Sequence, residues 1–587
     1  MPFEKDASFG KSLFFGEILE DQIFPFPEMD APTRETVLSV TEMLDKYLAT
    51  LDSAKMDKEG EIPKEVIEQL KALGLFGLIV PEEFGGLGLN VTGYSRVLQC
   101  IAGWDASIAV TVGAHSSIGF KGLLLAGNDE QKKKYLPRLA TGELIAAFCL
   151  TEPGSGSDAF SIKTRAEKSS DGSHYVLSGQ KLWITNGGIA DFFTVFAKTT
   201  PDVGEQKGKI SAFIVTRDMG GVTHGTHEDK MGIRASSTTA MFFDNVKVPK
   251  ECLLGEEGKG FKVAMSILNH GRTGIGAGAV GGMKRLMEVT AAHANERKQF
   301  GRPIGSYGLV KEKLGRIAAN TYAAESLCYL MARTIDRGNV DYSLEGAATK
   351  VLASDVLWNA VDEALQVAAG LGYMKEYPYE RSMRDARINR IFEGTNEILR
   401  LYVGLTGFQK PGEYLKGLGK DLSNSLTDPI KGFGVIREYA GRKMRQSGMI
   451  GGGRAQITKA HESMRKQIAW VEDATQELAS MTEAVLRRHG KEIIEKQFAT
   501  RRLGDIAIDL IAMLAVISRT TSLIQSRGST EKCANEMNMC FAFCSDAYRR
   551  IRTNFEAATG RNNDEELKAI ADNLMKAGNY ENDILKG

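Results

Sequence analysis

Between Ile145 and Leu254 the apolar pattern of this 587-residue chain changes period, and that change limits its fold more than any other feature. On the N-terminal side apolar residues recur at helical spacing, as Val37, Val40, Met43, Leu44, Tyr47 and Leu48, and again through 91–126 and 129–139. Inside the interval the runs are short, β-branched and aromatic (175–177, 192–197, 210–215, 240–243, 246–249), with turn residues between them. From Gly260 long helices return, apolar on one face, as in a bundle. The expected fold is mainly α with a central small antiparallel β domain. Its parts are a helical domain at 1–144, the β domain at 145–255, a helical bundle at 256–409, a basic Gly-rich linker or membrane-contact segment at 410–453, and a C-terminal helical domain at 454–587.

Lys+Arg and Asp+Glu balance at 74 each, so no overall field favours nucleic acid. Seven cysteines, odd in number and mostly isolated, argue against a disulfide framework. Cys533, Cys540 and Cys544 fall at helical spacing, but no histidine stands near them, and buried helix-face residues account for them better than a metal site. The most apolar long run, 506–518, is too short to span ~30 Å of hydrocarbon and contains Asp509, so it reads as a buried helix. The opening Met-Pro-Phe-Glu-Lys-Asp has neither the apolar stretch of a secretory leader nor the Arg-rich character of a transit peptide. Gly276-Ala-Gly-Ala-Val-Gly281 matches G-x-G-x-x-G, yet no strand precedes it, so small residues on packed helices explain it better than a dinucleotide loop.

Three segments carry chemistry. In Arg390-Ile-Phe-Glu-Gly-Thr-Asn-Glu-Ile-Leu-Arg400, one carboxylate, Glu393, lies between an apolar run and a Gly-Thr turn. A carboxyl entering an apolar site has a raised pKa and suits a base. The structural alternative is a helix start, with Thr395 or Asn396 capping and Glu397 in the first turn. The second segment is Phe148-Cys-Leu-Thr151-Glu-Pro-Gly-Ser-Gly156-Ser157-Asp, and the third is Lys181-Leu-Trp183-Ile-Thr185-Asn-Gly-Gly. Both read as strand into turn. Their glycines admit close approach, their hydroxyls bond polar edges, and Trp183 offers a flat apolar face, which together suit a flat heterocycle with a phosphate tail.

On these segments, in this order, the chain resembles the acyl-CoA dehydrogenase family from about residue 15 to the C-terminus, and its long C-terminal extension is similar to the very-long-chain branch. The resemblance implies FAD as cofactor and α,β-dehydrogenation of acyl-CoA. Glu393 takes the α-proton, hydride passes from the β-carbon to flavin, and electrons go on to an electron-transfer flavoprotein. The thioester carbonyl is polarised by the Glu393 N–H and a ribityl hydroxyl, each donor contributing about 3–4 kcal/mol. Some relatives carry the base immediately before the arginine matching Arg272; here that position is Gly271, which leaves Glu393 as the base and Arg272 to orient its carboxylate. A helix-surface cation is the alternative for Arg272.

The resemblance also assigns flavin contacts: Phe148, Leu150, Thr151, Gly156 and Ser157 from one segment and Trp183, Ile184 and Thr185 from the other. Arg297 and Phe300, with Gln366, Val367 and Gly370, resemble residues that reach the FAD of a neighbouring subunit, and Thr395 and Asn396 complete the adenine-side contacts with Glu397 beside them, which implies a homodimer or a dimer of dimers. Ala369 stands where the family often has glycine. An ordinary basic helix terminus is the alternative for the Arg297 segment. Substrate contacts fall to Ser157, Asn269, Arg272, Phe392, Glu393 and Gly394. Gly103, Gly113 and Gly119 either deepen a channel for a long acyl chain or serve helix contact. Residues 430–450 alternate Phe433, Val435, Ile436, Tyr439 and Met444 with Arg437, Arg442, Lys443 and Arg445, which suits a peripheral membrane contact or a solvated linker. The expected location is the bacterial cytoplasm, peripheral to the inner membrane, or the mitochondrial matrix if processed. An acyl-CoA oxidase and a non-catalytic assembly protein are the competing functions.

Overall fold

The computed structural model describes residues 8–204, 206–338, 340–425 and 456–585. They form two compact units. Of the described residues, one holds Ser8 and those within 21–399 and 515–543; the other holds those within 9–20, 400–514 and 544–585. Neither is a contiguous block, because a short N-terminal segment and a stretch of the C-terminal region change sides through contacts distant in sequence.

In the first unit, helix Ala31–Leu48 starts on the Asp30 carboxylate, which accepts the Thr33 N–H, with Pro32 in the first turn. Val37, Val40, Leu44 and Leu48 are buried, but Met43 is 39% exposed, so the apolar stripe is narrower than its sequence suggests. The run at 91–126 is divided into Val91–Trp104, Ala106–Gly113 and Lys121–Ala126, with one wide π-helical stretch, Ala114–Gly119, between the last two. That stretch is fastened to the sheet: His115 bonds the Phe76 carbonyl at 3.1 Å and accepts the Ala146 N–H at 2.9 Å, and Thr194 Oγ1 donates to the Gly119 carbonyl at 2.7 Å.

The sheet has eight strands. Seven run side by side in the order Val222–His224, Thr238–Pro249, His174–Thr185, Arg165–Lys168, Phe192–Lys198, Ile210–Thr216, Leu253–Leu254, and Ala146–Cys149 pairs with Phe192–Lys198. Most pairings are antiparallel, as the turn spacing implies. Ala146–Cys149 and Arg165–Lys168, however, both run parallel to Phe192–Lys198. Phe192–Lys198 is buried along its whole length, hence its unbroken apolar run. Between Lys181 and Ile184 the register with Thr238–Pro249 slips. Trp183 at that bulge takes φ 57° and stands 63% exposed, so the irregularity turns the indole out of the sheet.

Helices Gly260–Glu296, Gly308–Asp336 and Ser343–Ala368 follow, as the sequence leads one to expect. The G-x-G-x-x-G run lies inside the first of them, and a β-carbon on Gly281 would come within 2.0 Å of the Gln99 carbonyl oxygen. Its glycines are sites of helix contact, not a phosphate loop. Helix Asn396–Ser425 continues past Lys410, where the sequence reading begins a linker; the amphipathic residues 430–450 lie outside the described residues.

The second unit is helical. Asp509, buried in the apolar run at 506–518, is ion-paired with Arg550 at 2.6 Å, which reconciles its charge with burial. Trp470 stacks on Tyr548 with ring centroids 4.7 Å apart, Arg502 pairs with Asp564 at 2.6 Å, and Gln476 donates to the Gly16 carbonyl at 2.8 Å.

Candidate active site

Glu393 sits on a sharp reversal between two helices. Pro378–Arg387 tightens into the turn Ile388–Arg390, whose Ile388 carbonyl accepts the Ile391 and Phe392 N–H groups. Glu393 and Gly394 then take φ of 52° and 94°, two left-handed residues in succession, and a new helix begins at Asn396. Thr395 Oγ1 accepts the Ile398 N–H at 3.3 Å, so the capping role foreseen for Thr395 or Asn396 falls to Thr395. A non-glycine residue in this backbone conformation costs of order 1–3 kcal/mol and persists only where its surroundings enforce it.

The Glu393 carboxylate points inward. Glu393 as a residue keeps partial exposure, but its Oε2 is buried and accepts no hydrogen bond. The carboxylate lies against Gly271, where an added β-carbon would come within 2.5 Å of Oε2 and 2.8 Å of Ile118 Cγ2. Burial pushes the Glu393 pKa up to about 7, with Arg272 and Lys350 drawing it back. Arg272, itself buried, donates to the Glu393 main-chain carbonyl at 3.4 Å and to Asn269 Oδ1 at 2.7 Å. Arg272 is therefore no surface cation, and Asn269 serves to hold it. Tyr94 Oη and Ser116 Oγ are also buried close to one another, with only loosely aligned hydrogen bonding, and Tyr94 feels the Glu393 charge. A buried carboxylate oxygen without a hydrogen-bond partner, beside weakly satisfied hydroxyls, marks space for a polar ligand.

The other two motifs are bound to each other. Lys181, with no exposed surface, donates to the Leu150 carbonyl at 3.1 Å and pairs with Glu152 at 2.8 Å, and the Leu182 N–H bonds the Thr151 carbonyl at 2.9 Å. Asn186 donates to the carbonyls of Thr111 and Ala146, tying the second motif to the helical layer as well. Phe148 and Thr185 are half-buried, Leu150 is buried, and Ser157 is exposed, with open space where a β-carbon on Gly156 would stand. The Ile184 side chain belongs to the core, so only its main chain remains to meet a ligand.

Arg297, Phe300, Gln366 and Gly370 are exposed, Phe300 at 94%, while the Val367 side chain is buried. Glu397 is exposed and Phe392 half-buried. Asn396 departs from the reading of its sequence: it is fully buried, its amide donating to Ser354 Oγ and Asp355 Oδ1 and its oxygen accepting from Lys350 Nζ. That side chain is committed within the chain and is not open to a nucleotide. Sequence reasoning missed Lys350. The available signal was a lone lysine among Ala347, Ala348, Val351 and Leu352, a position that a charge occupies only with a partner.

Comparison with known proteins places the chain in a family. The domains described as Acyl-CoA dehydrogenase N-terminal, middle and C-terminal domain match residues 33–143, 147–246 and 258–405, and the ACAD9/ACADV C-terminal domain matches 462–580. The chain belongs to the acyl-CoA dehydrogenase family, enzymes that are flavin-dependent oxidoreductases. It is 43% identical over 583 residues to the very long-chain specific acyl-CoA dehydrogenase of Bos taurus mitochondria, covering 97% of this chain and 88% of that protein. A probable acyl-CoA dehydrogenase of Bacillus subtilis is 37% identical, with 93% and 90% covered. Among solved structures, an acyl-CoA dehydrogenase complexed with FAD from Bacillus anthracis superposes with a TM-score of 0.79 at 34% identity, covering 98% of this chain and 96% of that one.

Proposed function

We propose that this protein uses FAD to dehydrogenate long-chain acyl-CoA to the trans-2-enoyl-CoA in fatty-acid β-oxidation, with Glu393 as the base. The observation that carries this reading is the Glu393 carboxylate held against Gly271, with its Oε2 buried and without a hydrogen-bond partner. An α-proton of a thioester is a very weak acid, so its removal needs a desolvated base whose pKa lies near the working pH; about 7 meets that need. The left-handed turn fixes the carboxylate's direction, and Arg272 stands by to offset its charge.

The residues present fit FAD: an exposed indole at Trp183, hydroxyls at Thr151, Thr185 and Ser157, open space at Gly156 and Gly370, and an exposed Arg297–Phe300 segment suited to a second subunit's nucleotide. When bound, FAD supplies a two-electron acceptor for the β-hydride. The Lys181 bonds hold the two strand ends so that both motifs address one ligand. The partners in this reading are acyl-CoA, an electron-transfer flavoprotein and a second copy of the chain. Residues 430–450 remain the candidate membrane contact by their composition, at the bacterial or mitochondrial inner membrane. The five-part domain division read from the sequence belongs to the same proposal.

For chain length, a cleft of about 1,120 Å³ touches Ala102, Gly103, Ala109, Gly278, Gly282 and Leu286 on one side, but its lining also carries Asp57, Asp105, Arg234, Arg285, Arg384 and Asp385, so the preference for a long chain rests on the likeness to very-long-chain relatives and not on an apolar cavity. Gly278 and Gly282 share a helix face with Gly271 and lie roughly 10–16 Å further along it at 1.5 Å per residue. Of the three glycines foreseen as leaving room, Gly113 has open space and Gly103 lines the cleft, whereas Gly119 is packed against Ala114 and Ala146.

The test is anaerobic mixing of the purified flavoprotein with acyl-CoAs of graded length. Flavin bleaching that strengthens with chain length, is reversed by electron-transfer flavoprotein faster than by air, and is lost in Glu393→Gln is expected. Rapid reoxidation in air would make the protein an oxidase, and absence of bleaching with every acyl-CoA would leave an assembly role.

A further inference from the structure

The turn that aims Glu393 is held from below by one side chain outside every motif. Lys350, on helix Ser343–Ala368, has no exposed surface. Its Nζ donates to the Gly394 carbonyl at 2.8 Å and to Asn396 Oδ1 at 2.8 Å. The first bond fixes the peptide directly after the proposed base; the second fixes the residue that opens the next helix. Asn396 is in turn tied by its amide to Ser354 at 2.9 Å and Asp355 at 2.9 Å, one turn further along the same helix, and Asp355 pairs with Arg390 at 2.8 Å, on the other side of the reversal. Both ends of the segment 390–396 are thereby anchored to a single rigid helix, with Glu393 between them.

A buried ammonium is costly unless it is bonded or faced by negative charge. Lys350 has two oxygen acceptors, and the charges that face it are Glu393, Asp355 and Glu397, with Arg272 opposing; burial nevertheless pulls its pKa down to about 7, so its charge is full only on the acid side of neutrality. An uncharged donor such as an amide would satisfy part of the hydrogen bonding. A long cation at this point adds a positive charge beside a carboxylate that accepts no hydrogen bond at Oε2.

We propose that Lys350 is a positioning residue for the dehydrogenation: its ammonium locks the left-handed Glu393–Gly394 turn through Gly394 and Asn396, and its charge, with that of Arg272, keeps the Glu393 carboxylate ionised and ready to take the α-proton. This rests on Glu393 being the base. It predicts two separable effects of Lys350, one on aim and one on charge.

The experiment compares wild type, Lys350→Met and Lys350→Arg as FAD-loaded proteins, measuring flavin content, melting temperature and the rate of anaerobic flavin bleaching by a long-chain acyl-CoA from pH 5.5 to 9. The charged groups that bear on Glu393, namely Arg272 and Lys350 with Tyr94 adjacent, are otherwise unchanged between variants. In Lys350→Met the bleaching rate per bound flavin is expected to fall at least tenfold, with KM changed less than about threefold, and the fall in rate at low pH is expected to begin about one pH unit higher. Lys350→Arg keeps the charge and moves the donors, so it lowers the rate while leaving the fall at low pH, where Lys350 is itself protonated, near that of wild type. Unchanged rate per flavin and unchanged profile in Lys350→Met would overturn the proposal, as would a loss that follows flavin content alone. If Lys350→Met yields no folded flavoprotein, Lys350→Arg decides: a lowered rate with the fall at low pH unmoved supports the proposal, and an unaltered rate at every pH overturns it. A wild type that no acyl-CoA bleaches would overturn the dehydrogenase reading and this proposal with it, whereas a bleaching wild type beside an unaffected variant overturns this one alone.

Discussion

The carboxylate of Glu393 occupies the space that a side chain at Gly271 would need: a β-carbon there would come within 2.5 Å of Oε2 and 2.9 Å of Oε1. The two positions are therefore alternatives, and the chain has given the space to Glu393. Gly271→Ala should push the carboxylate aside without touching the flavin motifs. Since a displacement of ~1 Å at a reacting group costs on the order of a hundredfold in rate, turnover should fall by about that much with flavin content retained. Steady-state kinetics on flavin-normalised protein checks this, and wild-type turnover would mean that the carboxylate sits elsewhere during the reaction.

Burial raises the Glu393 pKa from its ordinary 4.5 to about 7, so the proton is bound more tightly in the folded chain than in the unfolded one. Two consequences of opposite value follow. The base is protonated below about pH 7, so kcat/KM should fall tenfold per pH unit there. The same shift stabilises the fold below pH 4.5 and is lost as pH rises through 7, so the ionised carboxylate burdens the protein at neutral pH. Glu393→Gln removes that burden and should raise stability at pH 8 by about 1–3 kcal/mol while abolishing turnover. Thermal melts at pH 5 and pH 8 would show it, with the gain confined to the higher pH.

Ala369 closes helix Ser343–Ala368 with φ 53° and ψ −131°, a backbone region that glycine enters freely and a β-carbon resists. Ala369→Gly should accordingly raise stability by about 1 kcal/mol despite glycine's larger loss of entropy on folding. Denaturant midpoints on the two proteins, at equal flavin content, test this; a destabilised glycine variant would show that the alanine methyl makes contacts worth more than the strain.

What the sequence disclosed follows the range of the interactions. Val37, Val40, Leu44 and Leu48 are spaced to face one core, and the strand at 192–197 is apolar because both its faces are buried, so local pattern suffices for them. The parallel pairing of Ala146 with Phe192 joins strands with two others between them in the chain, and no local spacing encodes it. At the site, Glu393 announced itself by a charge set in an apolar run, whereas the support of Lys350 acts across 44 residues to a main-chain carbonyl, an acceptor that every residue carries and that leaves no mark in the sequence. Asn396 misled for the related reason that an amide beside the proposed base suits a ligand as well as it suits a buried clamp, and only burial separates the two.

Lys181 and Glu152 join the two segments proposed to hold FAD through a buried ion pair of 2.8 Å, with side-chain exposures of 0% and 5%. Burial pushes the Glu152 carboxyl up, but the adjoining Lys181 ammonium, Thr164 and the Lys163 N–H outweigh it and hold the carboxyl below its usual range. Removing one partner of such a pair strands the other, at about 3–5 kcal/mol. Lys181→Met should therefore cost about that much stability and, by freeing the Leu150 carbonyl, loosen FAD as well. Pairing it with Glu152→Gln separates charge from packing. If the stranded carboxylate is the cause, the double variant should recover most of the lost stability, although the Lys163 and Thr164 N–H groups now meet an amide oxygen in place of a carboxylate. Equal losses in the single and double variants, read from denaturant melts with and without added FAD, would place the cost in the hydrogen bond to Leu150 instead.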